Sequence, residues 1–316
     1  MFTDSAPGVV MIGGVNVDIG GRPHHPLISR DSNPGHIWTS LGGVGHNIAH
    51  NLRQLDVPVT FLTAFGDDDH GARVERGCAA AGIDLRHALR VRGGATSVYL
   101  YINQFDGDLA LAVSDMEICR EISPAYLEQH LALLQTAPVV AVDGNLSEEA
   151  IRYIAAHSSA PVFADPVSVS KADRFRSVLS RIHTLKPNRL EAEALTGIPV
   201  SDPESAHRAA RALLDAGLQR VFLSLGTDGV LAADRTGQVL VPCFPARVRN
   251  TTGAGDAFMA GLIWAFLQGL SLAGSAAAAS AAASLAVESE ETINPLLSAS
   301  ALRARMDPAS AFFQQL

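Results

Sequence analysis

Asn250-Thr251-Thr252-Gly253-Ala254-Gly255-Asp256 runs directly into Ala257-Phe258-Met259-Ala260-Gly261-Leu262-Ile263-Trp264. Two glycines around an alanine open a nearly unbroken apolar run of helical character. Such a turn leaves several backbone N–H groups without helical partners, all aimed at one spot. The spot carries partial positive charge and suits a phosphate or a developing oxyanion. A carboxylate there repels a phosphate, but it makes sense if it takes a proton from a hydroxyl that attacks the phosphate. Asp256 is read in that role, with Gly253, Ala254 and Gly255 supplying the N–H groups. A plain helix cap accounts for Asp256 alone and leaves Thr-Thr-Gly-Ala-Gly unexplained.

The rest of the chain narrows the setting. Its 316 residues suffice for one large α/β domain or two small ones. With 47% hydrophobic and 18% charged residues it is well packed, not disordered. A formal net charge of −8 argues against a general nucleic-acid surface, though not against a nucleotide as a small ligand. Cys78, Cys119 and Cys243 are odd in number and far apart, which points to a reducing cytoplasm. Residues 1–7 lack the basic start and apolar core of a signal peptide. Residues 257–267 are too short to span a membrane. Residues 272–287, mostly alanine and serine, read as a helix packed very closely in a soluble core. Of 24 basic residues only Lys171 and Lys186 are lysines. A compact ammonium kept where arginine is otherwise used makes both ligand-site candidates.

Val9-Val10-Met11-Ile12 reads as a buried strand ending in Gly13-Gly14-Val15-Asn16-Val17-Asp18. The spacing is wrong for a dinucleotide-binding Gly-x-Gly-x-x-Gly, and no helix pattern follows. Ile48, Leu52 and Leu55 lie at helical spacing, so residues 42–47 form a second glycine-rich turn before a helix. The stretches 97–102 and 109–113 alternate around Asp106-Gly107-Asp108 and predict a hairpin, with Ser114 at its end within reach of a ligand. Elsewhere strands alternate with helices: 59–63 with 71–81, 139–142 with 148–156, 162–164 with 172–182, and 204–216 with 221–225. This pattern predicts a parallel sheet covered on both faces, with ligands beyond the carboxyl ends of the strands. Asp143, Asn145, Asp165, Lys171, Lys186 and Ser224 stand at or just after such ends. Asn188 and Glu191 share one face of a helix start. The absence of Gly-x-x-x-x-Gly-Lys-Ser/Thr excludes a P-loop kinase.

Asn-Thr-Thr-Gly-Ala-Gly-Asp-Ala-Phe resembles the carboxy-terminal signature of the ribokinase-like (PfkB) sugar and nucleoside kinases, in which the aspartate is the catalytic base. The resemblance implies an α/β fold, a ribokinase-like three-layer αβα sandwich with a mostly parallel central sheet and a small β-sheet lid. It implies a single kinase domain over residues 1–316, with lid segments at about 15–40 and 96–115, and ATP and Mg²⁺ as cofactors. Asp18 then binds sugar hydroxyls, and Gly42, Gly43 and Asn47 lie against the ribose. Ribokinases usually carry Lys and Ala where this chain has Val44 and His46; His46 is read as a structural or supporting contact, not a base. Asn188 and Glu191 match the Asn-x-x-Glu motif that orders Mg²⁺ and phosphate, largely through water. Ser224, Gly226, Thr227 and Gly229 resemble the triphosphate loop, and Lys186 and Thr252 are placed with the nucleotide. Ser280, in the alanine-rich stretch 276–283, falls where related kinases wall the adenine. Asn250 and Thr292 correspond to a monovalent-cation site whose usual aspartate is an asparagine here, leaving K⁺ to backbone carbonyls.

Thr63-Ala64-Phe65-Gly66-Asp67-Asp68, Thr96-Ser97-Val98-Tyr99-Leu100-Tyr101-Ile102, Ala112-Val113-Ser114-Asp115-Met116, Asp165-Pro166-Val167-Ser168 and Thr292-Ile293-Asn294-Pro295 look like the bacterial pseudouridine kinase branch of that family, over residues 9–297. The branch implies ATP-dependent phosphorylation of the 5′-hydroxyl of pseudouridine, with Tyr99 and Tyr101 against the uracil and Ser114 or Asn145 bonded to it. A kinase of ribose or a purine nucleoside shares the catalytic motifs and differs in the lid. A sugar-binding regulator need not keep Asp256, Asn188 and Glu191 together, and a Rossmann dehydrogenase lacks its fingerprint. A lid keeps water from taking the phosphate. Its exposed sheet needs cover, which implies a homodimer through the lid. Neither nucleic acid nor membrane is expected as a partner.

Overall fold

The computed structural model describes residues 8–313; the reading of residues 1–7 lies outside them. The chain begins in β1 (Val9–Ile12), leaves for β2 (Asn16–Pro23) and β3 (Gly35–Gly42), and returns in β4 (Val59–Leu62). A two-stranded ribbon, β5 (Ala64–Gly66) and β6 (Leu89–Val91), precedes a second excursion, β7 (Val98–Asn103) and β8 (Leu109–Asp115). The main sheet then gains β9 (Val140–Asp143), β10 (Val162–Asp165), β11 (Thr184–Leu185), β12 (Arg220–Ser224), β13 (Val230–Asp234) and β14 (Gly237–Val241). Its order is β14-β13-β12-β11-β10-β9-β1-β4, parallel except for β13 and β14.

Strand alternation sorts the core into two layers. Val9 and Met11 face α1 (Val44–Gln54), α2 (Asp69–Ala80), α9 (Ala254–Leu267), α10 (Leu272–Ala286) and α11 (Ala299–Phe313). Val10 and Ile12 face α3 (Pro124–Glu128), α4 (Leu131–Thr136), α5 (Glu148–His157), α6 (Val169–Ala172), α7 (Arg189–Thr196) and α8 (Pro203–Asp215). The result is the expected three-layer αβα sandwich. Each fully buried aliphatic side chain contributes roughly 1.5–3 kcal/mol. Helix α9 is apolar all round because it is buried all round, from Asp256 to Ala265. Gly261 lets it approach α10 so closely that a Cβ there would stand 2.8 Å from Ala279 Cα. No helix among the described residues is long and apolar enough to cross a membrane.

Three local expectations are corrected. The helix expected after residue 47 starts at Val44, because Gly43 alone, at φ 95°, turns the chain; His46 and Asn47 lie in the first helical turn. The expected helix 172–182 is mostly 3₁₀, Asp173–Arg181, whose buried Phe175 and Val178 fit a three-residue repeat equally well. The antiparallel hairpin β13–β14 carries no helix between its strands and was outside the strand–helix alternation.

Strands β3-β2-β7-β8 form the separate small sheet, the lid. Register puts Ser40, Asp18, Tyr99 and Ser114 in one row of one face, with Trp38, Gly20, Tyr101 and Ala112 in the next. On the opposite face stand Ile37, Leu100, Leu111 and Val113, exposed by 43–72%. Nearer the body, Arg73 of α2 donates to Thr39 Oγ1 (2.6 Å) and to its carbonyl (2.7 Å).

Candidate active site

The carboxyl ends of the parallel strands converge on the start of α9. Gly253, at φ 82°, takes the left-handed turn that starts the helix, and no side chain caps it; Ala254 N donates to the Thr251 carbonyl at 3.3 Å, which leaves Gly255 and Asp256 to present first-turn N–H groups. Asp256 is 9% exposed on the first turn, and Asn47 Nδ2 of α1 donates to its Oδ2 at 2.8 Å. Burial, then the like charge of Asp165, pushes the Asp256 carboxyl up to about 7, against the Asn47 bond and Lys186.

Lys186 follows β11 and Asp165 ends β10, so neighbouring parallel strands deliver the pair side by side. Their Nζ and Oδ2 stand 3.2 Å apart with both side chains buried. Burial works against the ammonium, but Asp165, Glu191 and Asp256 outweigh it and hold its pKa above the ordinary value. A Cβ at Gly255 would stand 3.3 Å from Lys186 Nζ, which puts this cation at the mouth of α9. Asp165 was read only as a strand-end residue. Its importance lies in a lateral pairing that no contiguous motif displays.

Asn188 and Glu191 form a reciprocal capping box on α7. Asn188 Oδ1 accepts from Glu191 N, and Glu191 Oε2 accepts from Asn188 N, each at 2.9 Å. Burial raises the pKa of Glu191 against the pull of Lys186. No group of three or more His, Cys, Asp or Glu among the described residues could hold a metal ion. Donors so few fit a magnesium ion held mostly by phosphate and water, not by a protein cage.

From Lys186 and Gly255 a cavity of about 700 Å³ extends to Ser280, a volume suited to a nucleotide. Lys186, Asn188, Ser224, Gly226, Thr227, Gly229 and Ser280, assigned to the nucleotide from the sequence, line it together with Ala254 of the glycine turn. Thr252 does not; it is exposed and its N–H is bonded to Asn250 Oδ1 at 2.9 Å. Phe258 of α9, Val287 at the end of α10, and Phe244 and Val248 supply apolar walls; the last two were missed because the irregular segment after β14 has no periodicity to betray it. Asn250 Nδ2 donates to the Glu290 carbonyl at 3.1 Å, so both ends of its amide are engaged within the protein. The Thr292 carbonyl lies against Gly253, where a Cβ would meet it at 2.1 Å.

On the lid side, Asp18 Oδ1 accepts from Asn16 Nδ2 at 2.5 Å, and burial raises the Asp18 pKa despite that bond. Gly42 backs onto the same carboxylate, and Gly43 leads into α1, from which Asn47 reaches Asp256. Tyr99 stacks on Tyr101 at 5.5 Å. Trp38, which lies over Gly20, donates from Nε1 to Tyr101 Oη at 2.9 Å. Ser114 pairs across from Tyr99 and is exposed. Lys171 Nζ donates to Asn145 Oδ1 at 2.6 Å; burial lowers its pKa, with Asp143 opposing. Asp143, expected from the sequence to bond to the substrate, is engaged by the backbone. It is fully buried and accepts from Gly14 N at 2.9 Å and Asn145 N at 2.8 Å, while burial pushes its carboxyl to about 6.

Comparison with known proteins places this geometry. Residues 6–299 match the sequence profile of the pfkB family carbohydrate kinases. The chain is 42% identical over 293 residues to the pseudouridine kinase of Escherichia coli (strain K12), covering 92% of this chain and 93% of that one. It is 25% identical over 350 aligned positions to the pseudouridine kinase of Arabidopsis thaliana, covering 90% and 92%. Arabidopsis thaliana ribokinase, solved with ribose and ATP, superposes with a TM-score of 0.85 at 24% identity over 96% of this chain and 99% of that one.

Proposed function

The chain belongs to the pfkB family of carbohydrate kinases, and from that premise we propose that it transfers the γ-phosphoryl group of ATP to the 5′-hydroxyl of pseudouridine. The carrying observation is Asp256: a buried carboxylate with a pKa of about 7, at the open amino end of α9 and between the sugar-side Asn47 and the nucleotide-side Lys186. A base poised there is half-ionised near neutrality and still strong enough to take a hydroxyl proton. Asp18, Gly42, Gly43 and Asn47 hold the ribose so that the 5′-hydroxyl meets Asp256. The N–H groups of Gly253 and Gly255 receive charge on the transferring oxygens, while that of Ala254 is held by the Thr251 carbonyl at 3.3 Å. Lys186 neutralises the phosphate and stays protonated through Asp165. Asn188 and Glu191 would hold a magnesium ion largely through water, and the ion would supply charge neutralisation to the phosphates.

The acceptor is assigned by the lid and by the relatives' shared identity. Tyr99, Tyr101 and Trp38 give a flat base an aromatic wall that ribose alone leaves unfilled. Lys171 and Asn145, held to one another, and Ser114 are the polar groups left for the base. The outer lid face is apolar and exposed, and a second copy of the chain is the cover its chemistry favours, making a homodimer through the lid. MgATP consumption with pseudouridine, uridine, inosine and ribose side by side tests the acceptor. Pseudouridine is expected to have the highest kcat/KM; preference for inosine or ribose overturns the assignment while leaving the kinase class intact.

A further inference from the structure

We propose that His46 is a positioning residue that fixes the orientation of the Asn47 amide, and through it the carboxylate of Asp256. The inference rests on Asp256 being the base. Asn47 donates from Nδ2 to Asp256 Oδ2 at 2.8 Å, so its Oδ1 faces the other way. There it meets His46 Nδ1 at 3.2 Å. An amide oxygen only accepts, so the pairing requires that Nδ1 carry the imidazole proton. His46 is 2% exposed and its pKa falls to about 4, through burial first and the neighbouring His50 second. The ring is therefore neutral at working pH, with one proton to place, and the amide oxygen selects where it goes.

The backbone holds this relay in place. His46 N donates to the Gly14 carbonyl at 3.2 Å, which ties the first turn of α1 to the loop after β1. Asn51 Nδ2 donates to the Asn47 carbonyl at 2.9 Å, and Asn47 N to the Gly43 carbonyl at 2.9 Å. The Asn47 main chain is thus fixed at both ends, and the remaining freedom is rotation of its side-chain amide. A half-turn of that amide would set Oδ1 against Asp256 Oδ2, acceptor against acceptor. The half-turn would also break the His46 Nδ1–H bond, and restoring it would require the ring to move its proton to Nε2 so that Nδ1 accepts from the amide N–H₂. A chain with alanine at position 46 has no such lock.

The charged groups around the base are Asp165, Lys186 and Asp143, while the Asn47 amide itself is bonded to Asp256 and His46. His50, edge-on to His46 at 5.8 Å between centroids, is the other titratable group beside the relay.

The test is a set of variants assayed for phosphoryl transfer from MgATP to the accepted nucleoside. His46→Ala is expected to lower kcat about tenfold with KM for ATP unchanged. His46→Asn, whose amide N–H sits near the place of Nδ1, is expected to recover most of that loss. On an Asn47→Ala background, adding His46→Ala is expected to cost less than twofold more, because the residue it acts through is gone. Equal losses from His46→Ala on both backgrounds, equal losses in the Ala and Asn variants, or no loss at all would overturn the proposal. Asp256→Asn is run beside them. Near-normal turnover in that variant sinks the base assignment itself; a dead Asp256→Asn with an unaffected His46→Ala sinks only the positioning role.

Discussion

The floor of the site and its lid are built on opposite plans. On the floor, Asp143, Asp165, Lys186 and Asp256 are all at most 9% exposed and each has a hydrogen-bond or ion-pair partner. In the lid, four strands make a single layer, with Asp18 and the aromatic rows on one face and exposed Ile37, Leu100, Leu111 and Val113 on the other. Burial gives the floor its chemistry, because desolvation lifts the Asp256 pKa into the working range and like charges crowd a single lysine. The cost falls on stability. The lid carries little such electrostatic strain, and its weakness is the outer face. Activity and stability should therefore move in opposite directions when a crowded carboxylate of the floor is neutralised, should fall together when its lysine is removed, and assembly should respond when the lid is altered.

The largest expected effect is at Asp256. Asp256→Asn should lower kcat by about 10²–10⁴-fold, measured with saturating MgATP and nucleoside. The same change should stabilise the fold. The folded pKa of Asp256, about 7, lies above its ordinary 3.8, so the native state holds the proton more tightly than the unfolded chain. The stability this gives is full below about pH 4 and lost as pH rises through 7, where the buried charge persists. The variant's unfolding free energy should exceed the wild type's by a margin that widens between pH 4 and pH 8, at roughly 1.4 kcal/mol per pH unit at most. In the wild type, kcat/KM should rise with pH up to about 7 and then level. A variant with normal turnover, or one less stable than wild type at pH 8, breaks the contrast.

Lys186 probes the same floor from the opposite charge. Lys186→Met leaves Asp165, Glu191 and Asp256 buried without their cation, a loss of about 3–5 kcal/mol for a broken buried pair. Denaturant unfolding should show the midpoint falling while the slope is unchanged. A midpoint equal to wild type would mean that the carboxylates take up protons at no cost.

The two regions also differed in how legibly they were written. The helix start at Asp256 was legible because its glycines lie directly before a long apolar run. The lid face was legible because period-two alternation fixes which side chains share a face, and Asp18, Tyr99 and Ser114 did fall in one row. The Asp165–Lys186 pair was not, because lateral strand pairing joins residues 21 positions apart with no local signature. The backbone partners of Asp143 were hidden for a related reason: Gly14, whose N–H it accepts, lies 129 positions away on another strand's loop. Asn188 and Glu191 were legible as a pair, and their spacing reports the capping box as directly as any ligand role.

For the lid, Leu111→Asp should split the dimer with little effect on the folded monomer, since the side chain is 63% exposed. Sedimentation at micromolar concentration should show a shift from dimer to monomer. A wild type that sediments as a monomer would leave the outer face without the partner assigned to it.

The smallest effect returns to the floor and asks how far its strain extends into the backbone. Val167 has φ 70°, a left-handed conformation that costs a β-branched residue about 1–2 kcal/mol. Ser168 N donates to the Pro166 carbonyl at 2.8 Å, so Val167 is the middle of a tight γ-turn. Its own N–H reaches Asp165 Oδ1 at 2.9 Å, leaving Oδ2 for Lys186. The turn thus aims the carboxylate that both holds the lysine and raises the Asp256 pKa. Asn accepts positive φ more readily than Val, so Val167→Asn should stabilise the protein by about 0.5–1 kcal/mol while keeping the N–H and hence the turn. Thermal unfolding should shift upward with kcat within twofold of wild type. If the midpoint falls instead, the Val167 side chain contributes more by packing than the turn loses in strain, and the floor's instability lies in its buried charges alone.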